Sequence, residues 1–215
     1  MATTSITKNQ QLTLFSESEN PLFPSTRYQG SKLKLVKWIE ENLKDLKFHS
    51  ALDGFSGTAS VSYILKRMGK KVTCNDILKF NFHIGLALIE NDSVKISDNE
   101  IDFLLKRQSS IKYPSFISKT FKDIYFTDEE NQWIDTVREN INHLDNIYKK
   151  SLAFFALFQS CISKRPFNLF HRKNLYIRMS DVKRNFGNKT TWDTPFEVHF
   201  KKFIEEGNRA VFSNG

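Results

Sequence analysis

The sequence predicts an α/β fold, and three observations in its first half predict it. Residues 48–53 and 71–75 have the composition of short β-strands, and residues 58–68 between them have the apolar spacing of a helix. Glycines mark the boundaries, with a turn over 54–57 and Gly69 at the end of the helix. Such a βαβ unit places the two strands side by side in one sheet, with their carboxyl ends at the same edge.

Helical patterns precede and follow this unit. From Ser31 onward the apolar side chains of a Lys-rich stretch recur every three or four residues, which predicts an amphipathic helix capped by that serine. Its apolar positions are Leu33, Val36, Ile39, Leu43 and Leu46. Residues 77–91 also have helical character, whereas residues 92–126 match no single element.

The second half is predicted to be mainly helical. Thr127 and Glu130 form the Thr-x-x-Glu pattern of a capping box ahead of an amphipathic stretch. Nine of the twelve residues from 151 to 162 are hydrophobic, which predicts a buried helix. A short helix is expected over 195–206 and a further strand over 209–213.

Composition excludes several classes of protein. Hydrophobic residues make up 40% of the 215-residue chain and aromatic residues 13%, too much for a disordered chain. Two distant cysteines predict neither a disulfide framework nor a metal site. The most apolar stretch, residues 152–158, is far shorter than the about 20 residues of a membrane-spanning helix. We therefore expect a cytoplasmic protein without a membrane segment, and its formal charge of +8 favours a polyanionic partner.

The turn after the first strand has the features of a nucleotide-binding site. Gly54 and Gly57 allow the backbone to approach a ligand, and the start of the next helix offers free N–H groups. Asp76 follows the second strand, 23 residues after Asp53. A carboxylate at that position reaches the ribose hydroxyls of an adenosine cofactor. The alternative is an ordinary tight turn with a solvated Asp76, and the acid at this spacing favours the cofactor site.

Three segments in this order resemble the cofactor motifs of the Dam-like DNA adenine methyltransferases, which use S-adenosylmethionine. That family has an aromatic-x-Gly-Gly-Lys element, then Asp/Glu-x-Phe-x-Gly-x-Gly after the first strand, then an acid after the second strand. The similar segments here are Tyr28–Lys32, Asp53–Ala59 and Asn75–Asp76. Two positions differ, because Ser31 and Ala59 stand where the family has glycine; both are small enough to preserve close backbone approach.

The resemblance implies a Rossmann-like S-adenosylmethionine-dependent methyltransferase fold, incomplete in this chain, with a mainly helical target-recognition insertion. By the same resemblance, Tyr28 and Lys32 line the end of the pocket near the methionine part of the cofactor, and Lys32 also lies close to the target base. Asp53, Phe55 and Gly57 surround the methionine part, and Asp76 accepts a hydrogen bond from the ribose. The implied cofactor-binding residues are Tyr28, Gly30, Lys32, Asp53, Phe55, Gly57 and Asp76.

The catalytic loop of that family has no counterpart in this sequence. Family members hold the flipped adenine with an Asp/Asn-Pro-Pro-Tyr/Phe loop, but no two of the five prolines here are adjacent. The stretch Asn20-Pro21-Leu22-Phe23 precedes the first motif and lacks the second proline. We therefore expect no catalytic residue in this chain. It is expected to be inactive alone, either as a truncated enzyme or as one half of a split enzyme whose C-terminal half or second subunit carries the loop.

Positive charge is concentrated between residues 161 and 190, where eight basic residues accompany one acid. Asn and aromatic side chains lie among them, as in surfaces that contact double-stranded DNA. The family order places target recognition in this region. The alternative is a solvated basic loop whose aromatic residues belong to the core. The candidate DNA-binding residues are Lys164, Arg165, Arg172, Lys173, Asn174, Arg178, Lys183 and Arg184.

A short motif in the N-terminal stretch suggests a second partner. Gln11, Leu12, Leu14 and Phe15 form a Gln-Leu-x-Leu-Phe sequence that resembles the peptide by which bacterial replication proteins dock on the sliding clamp. A tail with no core of its own suits peptide docking. The alternative is an arm that packs on the rest of the chain.

Together these features predict four parts. They are a flexible N-terminal tail over 1–24, a cofactor-binding Rossmann-like part over 25–91, a helical and basic target-recognition region over 92–206, and the start of a further core strand over 207–215. The predicted function is site-specific transfer of a methyl group from S-adenosylmethionine to the exocyclic amine of adenine in DNA, in a restriction-modification system.

Two other functions are alternatives to this prediction. One is a non-catalytic DNA-binding or regulatory protein on the same scaffold. The other is a nucleotide-binding oxidoreductase, which is disfavoured because Gly57-Thr58-Ala59 does not complete the dinucleotide pattern of three glycines.

Overall fold

The computed structural model describes residues 22–28, 30–166, 173–180 and 189–214, which are mainly helical around one small sheet. The helices are α1 Val36–Leu43, α2 Ser60–Arg67, α3 Lys79–Gly85, α4 Asp98–Leu105, α5 Phe116–Thr120, α6 Asp128–Asn142, α7 Ile147–Ser163, α8 Leu175–Met179, α9 Lys189–Asp193 and α10 Phe196–Ala210. The strands are β1 Ser50–Asp53 and β2 Lys71–Cys74. A 3-10 turn, Leu33–Leu35, precedes α1, and a π-helical turn, Leu86–Glu90, extends α3.

The predicted βαβ unit is confirmed. β1 and β2 pair in parallel, with Ser50 opposite Lys71 and Asp53 opposite Cys74. The two strand ends are then joined further, because the Asn75 N–H donates to the Asp53 carbonyl at 2.9 Å. The helix α2 that connects the strands is followed by Gly69 at φ +71°, a left-handed conformation that suits glycine. The chain thus has the α/β character that the sequence predicts, and a larger Rossmann-like sheet stays a prediction.

The core is built around α7, whose length and apolar composition bury most of its surface. α7 packs against α3, α6 and α10. At the α10 contact Gly207 is needed for close approach, since a Cβ there would lie 3.1 Å from Leu152 Cδ2. Phe155 on α7 and Phe200 on α10 are fully buried. The buried helix predicted over 151–162 is therefore confirmed. No described helix is long and apolar enough to cross a membrane.

Of the two capping predictions, one is confirmed. Thr127 Oγ1 accepts from the Glu130 N–H at 3.3 Å, and Glu130 Oε2 accepts from the Thr127 N–H at 3.0 Å, so the capping box of α6 is complete. The cap predicted at Ser31 is wrong, because α1 has Leu35 as its N-cap; Ser31 Oγ instead accepts from the Leu33 N–H at 3.3 Å, at the start of the 3-10 turn. A second capping box at Ser97 begins α4, within the stretch that the sequence left unassigned.

The strand predicted over 209–213 is wrong at its start. Arg209 and Ala210 form the last turn of α10, which is longer than the predicted 195–206 helix. The helix continues because its buried face does: Ala210 is fully buried, and its carbonyl accepts from the Tyr63 hydroxyl at 2.7 Å. Residues 211–214 follow as a non-helical segment that pairs with no strand in the described ranges. There the Phe212 ring packs on Tyr63, with centroids 5.4 Å apart.

Candidate cofactor site

Asp76 is the centre of the candidate site, at the edge where both strands end. Its Oδ2 accepts from the Gly57 N–H at 2.9 Å, and its Oδ1 accepts from the Leu78 N–H at 2.9 Å. Partial burial raises the pKa of this carboxyl, but hydrogen bonds from Leu78, from the Asn81 side chain and from Gly57 outweigh that effect and hold the pKa below its usual range. Asp76 is therefore an ionised acceptor at neutral pH.

Gly57 joins Asp76 to the first motif. It has φ +52°, a conformation that a side chain disfavours, and a Cβ built on it would lie 3.7 Å from the Tyr28 ring. Ser31 Oγ and Thr58 Oγ1 lie 3.2 Å apart in a hydrogen bond, which attaches the first motif to the start of α2. The structure thus brings together the three segments on which the sequence resemblance rests.

Asn81 is a contact of this site that the sequence analysis missed. Its side chain is almost fully buried, bonds Asp76, and donates from Nδ2 to the Tyr28 hydroxyl at 3.5 Å. Its Oδ1 is buried without a hydrogen-bond partner in the described part of the chain. No motif marks this residue, because its importance comes from the position of α3 directly after the Asp76 loop.

The other candidate side chains lie in the same two loops or in the first motif. Asp53 Oδ2 accepts from the Ser62 hydroxyl at 2.7 Å, so α2 holds that carboxylate. Lys32 is exposed, and its Nζ lies 3.5 Å from the Gly30 carbonyl. Phe55 is 96% exposed, and Ile77, next to Asp76, is 94% exposed. The exposure of Ile77 was not predicted; the available signal was an apolar residue directly after Asp76.

This set of residues fits an adenosine cofactor. Asp76 supplies an ionised acceptor for ribose hydroxyls, and the backbone at Gly57 carries no side chain that would obstruct a ligand. Two large apolar side chains, Phe55 and Ile77, stand exposed beside it, where a ring or alkyl chain would cover them. No three His, Cys, Asp or Glu side chains cluster as metal ligands in the described ranges.

Ala59 shows why the related motif has glycine at this position. It caps α2 at φ +58°, in the left-handed region, and is fully buried. An L-residue in that conformation costs about 1–2 kcal/mol relative to glycine. The small methyl group keeps the turn of the motif intact despite this cost.

Three of the predicted DNA-binding cations are buried instead of exposed. Lys164 is 3% exposed, Arg165 2% and Arg178 8%. Lys164 Nζ lies 2.9 Å from Glu130 Oε1, and Arg178 bonds both oxygens of Glu130 at 2.6 and 2.8 Å. A buried cation requires such a partner, so the charges of Lys164 and Arg178 are used inside the protein. The prediction that Lys164, Arg165 and Arg178 contact DNA is therefore not supported by their placement.

Glu130 itself is tuned by this cluster. Burial raises the pKa of its carboxyl, but the Arg178 and Lys164 cations and the Thr127 N–H outweigh burial and hold the pKa below its usual range.

The remaining candidates for DNA binding differ in their exposure. Lys173 is exposed, whereas Asn174 is fully buried. Arg172, Lys183 and Arg184 lie outside the described residues, as do Gln11, Leu12, Leu14 and Phe15 of the N-terminal motif.

Comparisons with known proteins show the family of this chain. The model of the D12 class N6 adenine-specific DNA methyltransferase family matches residues 28–194. Type II methyltransferase M2.HphI of Haemophilus parahaemolyticus is 33% identical over 201 residues, which are 91% of this chain and 59% of that protein. Type II methyltransferase M.NlaIII of Neisseria lactamica is 29% identical over 128 residues, 55% of this chain and 38% of the relative.

A third relative is similar over a comparable stretch. Type II methyltransferase M.CviAII of Paramecium bursaria Chlorella virus 1 is 30% identical over 128 residues, 54% of this chain and 38% of the relative. The chain thus spans less than two thirds of the length of each of these relatives. No solved structure matches it.

Proposed function

This chain belongs to the D12 class N6 adenine-specific DNA methyltransferase family, and we propose that it binds S-adenosylmethionine and double-stranded DNA for methylation of adenine in a restriction-modification system. One observation carries the cofactor proposal: the Asp76 carboxylate accepts from the Gly57 N–H at 2.9 Å, while Tyr28 lies against Gly57. Three motifs far apart in sequence thereby form one site. The relatives, which are named Type II methyltransferases, support the restriction-modification setting.

The residues of the site divide the cofactor between them. Asp76 accepts from the ribose, and Ile77 covers the adenosine part because it follows that acid directly. Asp53, Phe55 and Gly57 line the methionine part. Tyr28 and Lys32 line the end of the pocket near the methionine part, and Lys32 also lies close to the target base.

The main role of the protein in this reaction is to position the methyl donor and the target base. When bound, S-adenosylmethionine would supply a sulfonium methyl group to the exocyclic amine of adenine. The new C–N bond would form as the methyl–sulfur bond breaks, the sulfur would leave as a thioether, and the amine would lose one proton to solvent. Tyr28, Gly57 and Asp76 bind and orient the donor, and the exposed apolar side chains exclude water once covered. Holding two reactants in a productive geometry accounts for most of the acceleration in such a step. The base must leave the DNA stack to reach the donor.

We further propose that a polypeptide segment beyond these 215 residues holds the flipped adenine. The support is that the sequence has no Asp/Asn-Pro-Pro-Tyr/Phe loop. The purified chain, given S-adenosylmethionine with a labelled methyl group and mixed-sequence DNA, should leave the DNA unlabelled. Labelled N6-methyladenine in that assay would overturn this part of the proposal. The absent loop equally favours a second candidate function, a non-catalytic DNA-binding protein on the same scaffold, which predicts DNA binding that does not depend on Asp76.

The test of the cofactor site is calorimetric titration of the purified chain with S-adenosylmethionine, S-adenosylhomocysteine and NAD. We expect saturable binding of the first two only, abolished by Asp76→Ala. The matched control is Asp45→Ala, which removes an exposed acid after α1. Equal binding by wild type and Asp76→Ala, or binding of NAD alone, would contradict the proposal. Thermal melts of each sample establish that the protein is folded.

A second partner is proposed for the N-terminal motif. Gln11, Leu12, Leu14 and Phe15 would dock as an extended peptide in an apolar pocket of the bacterial sliding clamp. Leu14→Ala with Phe15→Ala should abolish capture of the chain on immobilised clamp, while Thr13→Ala, at the variable position of the motif, should not. Capture that survives the double substitution would eliminate this partner.

A further inference from the structure

A second basic stretch precedes residues 161–190, where the sequence analysis placed its candidate DNA-binding residues. Residues 106–122, here called the basic segment, contain five basic residues and no acid. All five of these side chains belong to exposed residues: Lys106, Arg107, Lys112, Lys119 and Lys122. The basic segment runs from the end of α4 through α5, so part of it has regular structure.

Most of this charge is not neutralised within the protein. Lys106 Nζ lies 3.7 Å from Asp102, but the other four cations form no ion pair with any residue in the described ranges. This contrasts with Lys164 and Arg178, whose charges are buried against Glu130. Within the described ranges the basic segment therefore offers exposed positive charge that the buried Lys164 and Arg178 do not.

Arg107 is held in a defined position on this surface. Its guanidinium lies over the Tyr113 ring, 4.2 Å from the centroid, and one nitrogen donates to Thr136 Oγ1 at 3.4 Å. The Tyr113 hydroxyl in turn accepts from the Gln108 N–H and donates to Asn140 Oδ1, both at 2.7 Å. A guanidinium stacked in this way is pre-ordered and loses little side-chain entropy when it binds an anion.

The backbone beneath Arg107 is fixed as well. Asn140 on α6 is fully buried, and its Nδ2 donates to the carbonyls of Phe103, Leu104 and Lys106 at 2.8–3.1 Å. These bonds hold the end of α4 against α6. The basic segment is thus attached to the core on both sides of Arg107.

An open groove of about 250 Å³ lies beside Arg107, lined also by Tyr113, Pro114, Ser115 and Gln132. One acid, Asp135, lies in its wall. Asp135 is 3% exposed, and its oxygens accept from the N–H groups of Ile117 and Ser118 and from the Ser118 hydroxyl. Because that carboxylate is buried and hydrogen-bonded, the Arg107 guanidinium and the Ser115 hydroxyl are exposed polar groups that the groove offers to a ligand.

We propose that the basic segment contacts the phosphates of double-stranded DNA, with Arg107 as its fixed anchor and Lys112, Lys119 and Lys122 as flanking contacts. The inference rests on the proposed function in so far as DNA is the substrate. Several exposed cations along one segment match a polymer with regularly repeated phosphates, and a guanidinium fork matches a phosphate in two hydrogen bonds. Ser115 and exposed hydroxyls nearby add donors of the kind that contact DNA backbones.

The test is fluorescence anisotropy of a labelled mixed-sequence DNA duplex, titrated with the full chain over a series of salt concentrations. Lys112→Gln with Lys119→Gln should weaken binding and reduce the slope of log affinity against log salt by about 0.9 for each lost phosphate contact, roughly 2 in all. The matched control is Lys201→Gln with Lys202→Gln, which removes the same charge from exposed positions on α10. Its slope should stay near that of wild type.

Arg107→Lys provides a second, independent readout. It keeps the charge but removes the planar fork and its stacking on Tyr113, so affinity should fall while the salt slope stays close to that of wild type. Circular dichroism melts of every variant verify folding.

Three outcomes would overturn the proposal: a wild-type slope near zero, equal slope changes in the two double variants, or tighter binding of duplex RNA than of duplex DNA. Titrating the same variants with S-adenosylmethionine separates this inference from the proposed function. If the wild-type protein does not bind S-adenosylmethionine, the proposed function is contradicted, whereas the proposed DNA contact is not.

Discussion

Asp76 joins the two loops of the candidate cofactor site, and Asn81 is the side chain that keeps it in place. Asp76 receives backbone bonds from Gly57 and Leu78, which orient the carboxylate from two sides. Asn81 adds a third bond and also reaches the Tyr28 hydroxyl, so a single buried amide links the acid to the first motif. A residue with this position is expected to act on cofactor affinity through Asp76 and Tyr28.

We predict that Asn81→Leu weakens S-adenosylmethionine binding by about tenfold, since a hydrogen bond to a charged group contributes roughly 1.5–3 kcal/mol. Leucine keeps the volume but cannot bond the carboxylate. Calorimetric titration measures the change. Asn99→Leu, at an exposed position of α4, is the matched control. Wild-type affinity in Asn81→Leu would show that the backbone bonds alone orient Asp76.

Gly57 is expected to be required for its conformation as well as for its small size. Gly57→Ala places a side chain at φ +52°, so we predict a loss of about 1–2 kcal/mol in the free energy of unfolding. Gly54→Ala in the same loop is the control, because a Cβ there meets nothing within 4 Å and no positive φ is required. Urea denaturation compares the two variants. Equal effects would mean that the left-handed conformation at Gly57 is not what the stability of the loop depends on.

At the scale of elements, Glu130 connects three helices. It lies in the first turn of α6, where it completes the capping box with Thr127. Its two oxygens also bond Lys164, directly after α7, and Arg178 in α8. The chain after α7 is therefore attached to α6 by one half-buried carboxylate and two buried cations.

Glu130→Gln should lower the free energy of unfolding by about 3 kcal/mol, because it leaves two buried cations without a counter-charge. The wild-type contribution has a defined pH dependence. The pKa of Glu130 is below its unfolded value of 4.5, so its stabilisation is present above about pH 4.5 and is lost as pH falls through the folded pKa.

Denaturant titrations between neutral and acidic pH measure both effects. The acid-induced loss of stability should be smaller in Glu130→Gln than in wild type. Glu205→Gln, at an exposed position of α10, should change neither the stability nor its pH profile. A Glu130 variant as stable as wild type would mean that the cations find water instead.

At the scale of the whole molecule, two histidines, His83 on α3 and His199 on α10, make the folding stability depend on pH. His83 lies 3.0 Å from the Ser151 hydroxyl, and His199 Nε2 lies 2.8 Å from the Thr191 carbonyl. Burial lowers the pKa of both rings, and for His199 the nearby cations of Lys164, Lys202 and Arg27 lower it further, against the Thr191 bond, which raises it. The folded protein therefore favours the neutral rings.

Because the unfolded chain binds protons at these histidines more readily, folding stability should rise with pH and should be lost progressively below about pH 6.5. His83→Gln with His199→Gln should flatten this dependence in denaturant melts. His49→Gln changes an exposed histidine before β1 and is the control. A steeper profile in the double variant would contradict the sign of this prediction.

The features that depend on residues close together in the chain are predictable from the sequence. The βαβ unit, the capping box at Thr127, the buried helix over 151–162 and the order of the three motifs all follow from spacings within a few turns or one crossover. Glycine positions carried much of this information, because positive φ restricts the residue type at a single site. These patterns were enough to indicate a cofactor site at Asp76 and the family to which the chain is similar.

Which charged side chains are exposed and available to a ligand depends on tertiary contacts. Lys164 and Arg178 lie in a basic stretch of sequence, yet they are buried, and Glu130, distant in the chain, forms ion pairs with both. Lys112 and Lys119 lie in a stretch with no assigned element and stay exposed. The burial of Asn81 and the helical conformation of the end of α10 likewise depend on the residues that pack against them. Burial and ion pairing depend on contacts between remote segments, and a local pattern of residue types does not encode them.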